Sequence, residues 1–227
     1  MSGSFLACAA YMAIVLPGVA PAAADSPPPI GRIDSRAIWI EPHGVDTGQC
    51  DSTDDALQRQ LTCVLGKMQQ AHASPEALAF TRWYAATSQD IGYVSKIRNY
   101  GPVSLATVEL PLRRRTNAHT DSAFELVNGT PNPVHGDTGC SENDASLLAS
   151  RDFQRLKEGR PNLTTWEGTD FVSAAMLPGG VQRFVFSCPL GEYHAAAGQW
   201  LAWFALDFDA GGHFLGHRLL KISAAGQ

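Results

Sequence analysis

Beyond residue 170, apolar and polar side chains alternate in four runs, 171–177, 181–188, 200–208 and 213–222. Pro178-Gly179-Gly180, a wider loop over 189–198, and Asp209-Ala210-Gly211-Gly212 separate them. Successive side chains of a strand point to opposite faces, so this grammar predicts a sequential antiparallel meander. In the third run Trp200, Ala202, Phe204, Leu206 and Phe208 share one face and are all apolar, a face that must meet the helices. Leu201, Trp203 and Ala205 share the reverse face with Gln199 and Asp207, which implies a partly covered surface or the lining of a cleft.

Upstream the period changes. Ser52-Thr53-Asp54-Asp55 offers N-cap choices before Leu57, Leu61, Val64, Leu65 and Met68, whose spacing puts one apolar stripe on a helix of about 17 residues. Ser74-Pro75-Glu76 starts a second helix, with Ser as cap and Pro in the first turn, and Ala77, Phe80, Trp83 and Tyr84 supply its apolar side. Residues 37–40, 93–97, 103–110 and 124–127 read as strands, the last closed by Asn128-Gly129. The stretch 130–144 is loop by composition, and 145–157 reads as one short helix ended by Gly159 and Pro161.

Residues 5–16 form an apolar run broken by Pro17 and Gly18, too short to span a bilayer comfortably, and Ala22-Ala23-Ala24-Asp25 follows with the small residues that a signal peptidase reads. The reading is a signal peptide over 1–24, a Pro-rich extended leader over 25–34 that cannot pair as a strand, and a single globular domain over 35–227. No Lys or Arg precedes the apolar run, so its cationic flank is only the amino terminus. The mature chain is expected in the periplasm or outside the cell, with no stable membrane anchor after cleavage.

Of 227 residues, 44% are apolar and 17% charged, which supports a packed core and excludes disorder for most of the chain. The net charge of -5 speaks against nucleic acid as a partner. Loss of the signal would discard Cys8 and leave Cys50, Cys63, Cys140 and Cys188, an even number suited to two disulfides in an oxidising compartment. Three pairings are possible. Locality favours Cys50 with Cys63 and Cys140 with Cys188. No two of these cysteines are separated by only two residues, which speaks against a zinc site.

Chemistry is harder to place. The G-x-S-x-G, S-x-x-K, H-E-x-x-H, P-loop and dinucleotide fingerprints are all missing, and no cofactor or metal is implied. Arg113, Arg114 and Arg115, with Asn117 and His119, could capture an anion by forked hydrogen bonds. Gly191-Glu192-Tyr193-His194 sets an acid, a phenol and an imidazole in one loop beyond Cys188, so Glu192, Tyr193 and His194 are the candidates for acid–base work. His213 and His217 fall on one face of the fourth run but about 13 Å apart, too far to chelate one ion through that spacing alone. Asp207, Asp209 and Gly211 resemble half a calcium loop without its closing acid. Glu109, Glu125, Asp170, Glu192 and Asp207 lie on or near strands whose spatial neighbours decide whether any two form a carboxylate pair.

The expectation is therefore an α+β fold, two or three helices packed on a twisted antiparallel sheet with a C-terminal four-strand meander. Missing catalytic signatures, and Trp203 on a face that should be wet, favour a non-enzymatic module that binds a small molecule or an envelope protein. The alternative is a hydrolase or isomerase that uses His194 with a nearby carboxylate.

Overall fold

Helical periodicity in the first half is realised as a layer of two helices, and alternation in the second half as a broad sheet, but the strands between them form a second sheet. The computed structural model describes residues 29, 31–41, 50, 57–88, 92–110, 122–127, 133–166, 168–192 and 199–226. Along these run β1 (Gly31–Arg32), β2 (Arg36–Ile40), α1 (Leu57–Gln70), α2 (Pro75–Ser88), β3 (Tyr93–Asn99), β4 (Ser104–Glu109), β5 (Ser122–Val127) and β6 (Val134–His135). There follow α3 (Ala145–Leu148), α4 (Arg151–Gly159), β7 (Leu163–Thr165), β8 (Asp170–Met176), β9 (Gln182–Glu192), β10 (Trp200–Phe208) and β11 (Phe214–Ala224). The expected signal segment lies outside the described residues. Among those described, no helix is long and apolar enough to cross a membrane.

The smaller sheet has the order β2-β3-β4-β5-β6 and the larger β1-β8-β9-β10-β11, with β7 on the far end of β9; every pairing is antiparallel. The fold is thus mixed helix and sheet, built on two sheets rather than the single one expected. Helices α1 and α2 cover one face of the smaller sheet, where Val64, Met68, Ala77, Tyr84, Val94, Ile97, Ala106 and Val108 form one core. Ser74 Oγ accepts the Ala77 N–H at 3.2 Å and so caps α2, with Pro75 as its first residue. Buried Thr81 of α2 accepts the Val94 N–H at 3.1 Å, next to a register shift in β3, and fastens the helix layer to the strand.

The other face of the smaller sheet packs on the larger one, where Leu105 and Leu126 meet Phe184, Phe186, Leu206 and Phe208. Ala202, Phe204, Cys188 and Leu190 continue the same inner face and pack on Leu147 of α3 and Phe153 of α4. The apolar face of β10 therefore meets a second sheet along one half and helices along the other. Four fully buried phenylalanines at 184, 186, 204 and 208 anchor it, each stabilising the fold by about 1.5–3 kcal/mol relative to exposure.

Three further expectations are corrected. Gly31 and Arg32, assigned to an unpaired leader, pair with Met176 and Ala175, because the prolines stop at Pro29 and leave their N–H groups available. The segment 145–157 forms two helices, since Ser150 caps its own helix by accepting the Phe153 N–H, just after Asp144 has capped α3. The fourth run begins at Phe214, and its pairing with β10 shifts twice, so that Leu215 and Leu220 are extra residues opposite no partner. Cys50–Cys63 and Cys140–Cys188 are the two disulfides, with Cα–Cα distances of 5.5 and 6.1 Å.

Candidate functional site

Two constructions in the larger sheet and its attachments combine buried charge with access to solvent. The first lies on the outer face, where register alone determines which side chains meet. Asp207 of β10 is opposite Arg183 of β9 and Gly216 of β11, while Ala205 is opposite Val185 and Arg218. Arg183 donates through Nε to Asp207 Oδ1 at 2.7 Å and through a terminal nitrogen to Oδ2 at 2.8 Å, a two-pronged bond. Arg218 also donates to Oδ2. The side chains of Arg183 and Asp207 are each 7% exposed and that of Arg218 is 44% exposed, so a buried pair extends to the surface through one guanidinium. Burial pushes the Asp207 carboxyl up, but the hydrogen bonds and charges of both arginines outweigh it and hold the group below its ordinary value.

Above this trio lies a cleft of about 390 Å³ lined by Leu177, Pro178, Val181, Asp207, Leu215, Gly216, His217 and Arg218. Its volume is within the range of roughly 300–1,000 Å³ common for small-molecule sites. The turn between β8 and β9 supplies three apolar walls, and Leu215, turned out by the shift at the start of β11, supplies the fourth. His217 pairs with Leu206 and so directs its ring to the opposite face, where Nε2 lies 2.5 Å from Asp144 Oδ2.

The second construction is the segment between β6 and α3, which straps the smaller sheet to the larger. At its start His135 Nδ1 lies 2.8 Å from Glu125 Oε1, with the imidazole side chain 64% exposed and the carboxylate 2% exposed. Glu125 Oε2 is buried and has no hydrogen-bond partner among the described residues. Burial pushes the Glu125 carboxyl up against the pull of His135, while the hydrogen bond to Glu125 raises the His135 imidazole against its own burial. The nearby charge of Asp137 raises both.

Gly136 follows, its N–H bonded to Phe124 O at 2.6 Å; a Cβ there would fall 2.6 Å from the Phe124 Cβ, so glycine lets the strap lie against β5. Gly139, at φ +98°, similarly admits Phe204 and His217 at close range. Cys140 is then tied to β9, and Asp144 accepts from the N–H groups of Ser146 and Leu147 while its other oxygen meets His217. Burial works against ionised Asp144, but the bonds from Ser146, His217 and Leu147 outweigh it and lower its pKa.

The residues singled out from sequence scatter across this arrangement. Trp203 lies on the outer face, half-buried, with Nε1 donating to Ser223 at 3.0 Å and Lys221 Nζ 4.2 Å from the ring centre. It lines neither the cleft described above nor a second one of about 300 Å³ at Trp200, Leu156 and Ile222. Glu192 ends β9, opposite Leu163. Arg113, Arg114, Arg115, His119, Tyr193 and His194 lie outside the described residues. His213 precedes β11 rather than sharing a strand face with His217.

Asp209 is a turn residue, accepting the N–H groups of His213 and Gly211, which hold its carboxyl below the ordinary value. Among the described residues no group of three or more His, Cys, Asp or Glu is placed to hold a metal ion. The pairs Glu125–His135, Asp144–His217 and Arg183–Asp207 were missed by motif reading, since each joins residues on different elements. Compared with protein-family models, curated proteins and solved structures, the chain matches none.

Proposed function

We propose that the chain is an exported, disulfide-stabilised domain that binds a small molecule rather than catalysing a reaction, and that the ligand occupies the cleft on the outer face of the larger sheet. The observation that carries this reading is a cleft with apolar walls whose polar floor is already rigid, because Asp207 is bonded by two arginines from two flanking strands. Preorganised polar groups in an apolar recess fix a ligand's orientation at little entropic cost. Trp203, on the same outer face, would extend the contact for a larger ligand. Two intramolecular disulfides are compatible with an oxidising compartment.

The test is a fragment screen on the mature chain followed by amide chemical shifts. Hits should cluster on Leu177, Val181, Leu215 and Gly216, and hits confined to other surfaces would remove the reading. Trp203→Ser should leave folding nearly intact and weaken only a ligand long enough to reach it from the cleft; a large loss of stability would return that residue to the core. Intact mass supplies the check on export: a chain starting at Asp25 that gains four hydrogens on reduction is expected, and a full-length chain with free thiols would refute it.

A further inference from the structure

The second cleft, of about 300 Å³, lies between α4 and the ends of β10 and β11, on the inner side of the larger sheet and apart from the cleft at Asp207. Leu156, Trp200 and Ile222 pack on the core around Phe153 and Phe204 yet stay only half-buried, so that core reaches solvent here. Trp200 opens β10, and Arg160, just past α4, holds its guanidinium carbon 4.3 Å from the centre of the indole ring, which steadies the plane of that ring. Asp152, Arg155 and Leu156 fall at i, i+3 and i+4 of α4, a spacing that brings side chains to one helix face. The cleft therefore has an apolar body from Leu156, Trp200, Ile222 and Ala224 and, on its α4 wall, one charge of each sign.

Arg155 lies 3.6 Å from Asp152, beyond good hydrogen-bond length, and the two side chains are 74% and 64% exposed. An exposed pair of this kind is worth little, so either member can turn to a ligand at small cost. A monoanion in the cleft gains Arg155 but meets the carboxylate of Asp152, and a monocation gains Asp152 but meets Arg155. Only a ligand with both charges satisfies both. On an α-amino acid the amine nitrogen and the carboxyl carbon are about 2.5 Å apart, close enough to offer one charge to each member of a pair separated by 3.6 Å.

We propose that this second cleft binds a free α-amino acid with an apolar side chain, its carboxylate on the Arg155 guanidinium, its ammonium on the Asp152 carboxylate and its side chain against Leu156, Trp200 and Ile222. The volume is at the lower end of the range of roughly 300–1,000 Å³ for small-molecule sites, which suits a ligand of that size. No lining residue is shared with the cleft at Asp207, so each site can be tested alone.

Calorimetric titration of the intact protein with L-leucine, 4-methylpentanoate, 3-methylbutylamine and glycine is the test, because the last three each lack one of the ammonium, the carboxylate and the apolar side chain. Leucine is expected to bind at least about tenfold more tightly than any of the others. Arg155→Gln should erase the preference for leucine over 3-methylbutylamine, and Asp152→Asn the preference over 4-methylpentanoate. Both positions are exposed, so the fold should survive, with circular dichroism as the check. Amide shifts induced by leucine should centre on Leu156, Trp200 and Ile222. Equal binding of leucine and either singly charged analogue would overturn the inference, as would shifts centred on Leu177, Val181 and Leu215 or an unchanged preference in both variants. Absence of leucine binding at millimolar concentration would also overturn it, and would leave the reading of the cleft at Asp207 untouched.

Discussion

Replacing Asp207 by Asn removes the one anion that two arginines share and leaves the Arg183 guanidinium, 7% exposed, facing a neutral amide. Removing one partner of a buried ion pair costs about 3–5 kcal/mol, because the remaining charge stays out of water, whereas an exposed pair is worth about 0–1 kcal/mol. The asparagine oxygen still accepts one bond, so the lower end, about 3 kcal/mol, is the expected loss. For a chain of 227 residues each kcal/mol moves Tm by about 2–4 °C, so the midpoint should fall by about 6–12 °C. Differential scanning calorimetry at neutral pH measures it.

The companion variant replaces both members, Arg183→Met with Asp207→Leu, and should return to within about 2 kcal/mol of the parent, since no buried charge is then left unpaired. A carboxyl whose pKa is lowered by folding contributes stability above its unfolded value and loses it as pH falls through the folded one, so Asp207→Asn should also flatten the acid limb of the stability curve. If Asp207→Asn shifts the midpoint by less than about 2 °C, Arg183 reaches water in the variant and the buried-pair argument fails.

The Glu125–His135 pair at the start of the strap has the opposite pH dependence. Glu125 and His135 both have raised pKa values, so their contribution is complete at low pH and is lost as pH rises from the ordinary glutamate range to above that of imidazole. Hydrogen exchange at the Gly136 amide, corrected for its intrinsic rate, should accelerate over that window and do so less in Glu125→Gln; identical profiles would refute the coupling. Replacing Cys140 and Cys188 together by Ala should cost about 4 kcal/mol and replacing Cys50 and Cys63 about 3, on chain-entropy grounds, with denaturant midpoints giving the order. His72, at φ 57° just beyond α1, holds a left-handed conformation that costs a side-chain-bearing residue about 1–2 kcal/mol, so His72→Gly should raise Tm. A lower Tm would show that its side chain contributes more than the strain.

Turn chemistry and alternation made β8 to β11 legible, because Pro178-Gly179-Gly180 and the Asp209 turn stop each strand where its period ends. The cap of α2 was equally plain. What a strand packs against is a different kind of information. Phe184, Phe186, Leu206 and Phe208 carry the same alternation whether helices or another sheet cover them, so the two-sheet arrangement left no local signature. β6 has only two residues, too few for any period, and His213 is held in the turn by its bonds to Asp209, one residue short of β11. The break between α3 and α4 did have a signal, since Asp144 and Ser150 are both good caps within one apparent helix.

The site residues were partly visible as types and invisible as partners. Glu125 and Asp207 stood out as carboxylates between apolar strand residues, but Arg183 is joined to Asp207 across a long β9–β10 connection that fixes no register by itself. The register in turn explains why these charges are tolerated. A slip of β10 by one residue would carry Asp207 to the inner face beside Phe184 and Phe186 and leave Arg183 without its anion. A slip of β11 would take Arg218 out of reach and turn His217 away from Asp144. Three buried carboxylates each meet a basic group from another element: Glu125 through one oxygen on β6, Asp144 on β11, and Asp207 on β9 and β11. Only the observed register meets all three demands at once. The buried charges therefore discriminate among strand alignments that hydrophobic pattern alone leaves close in energy, and the cleft inherits its shape from that choice.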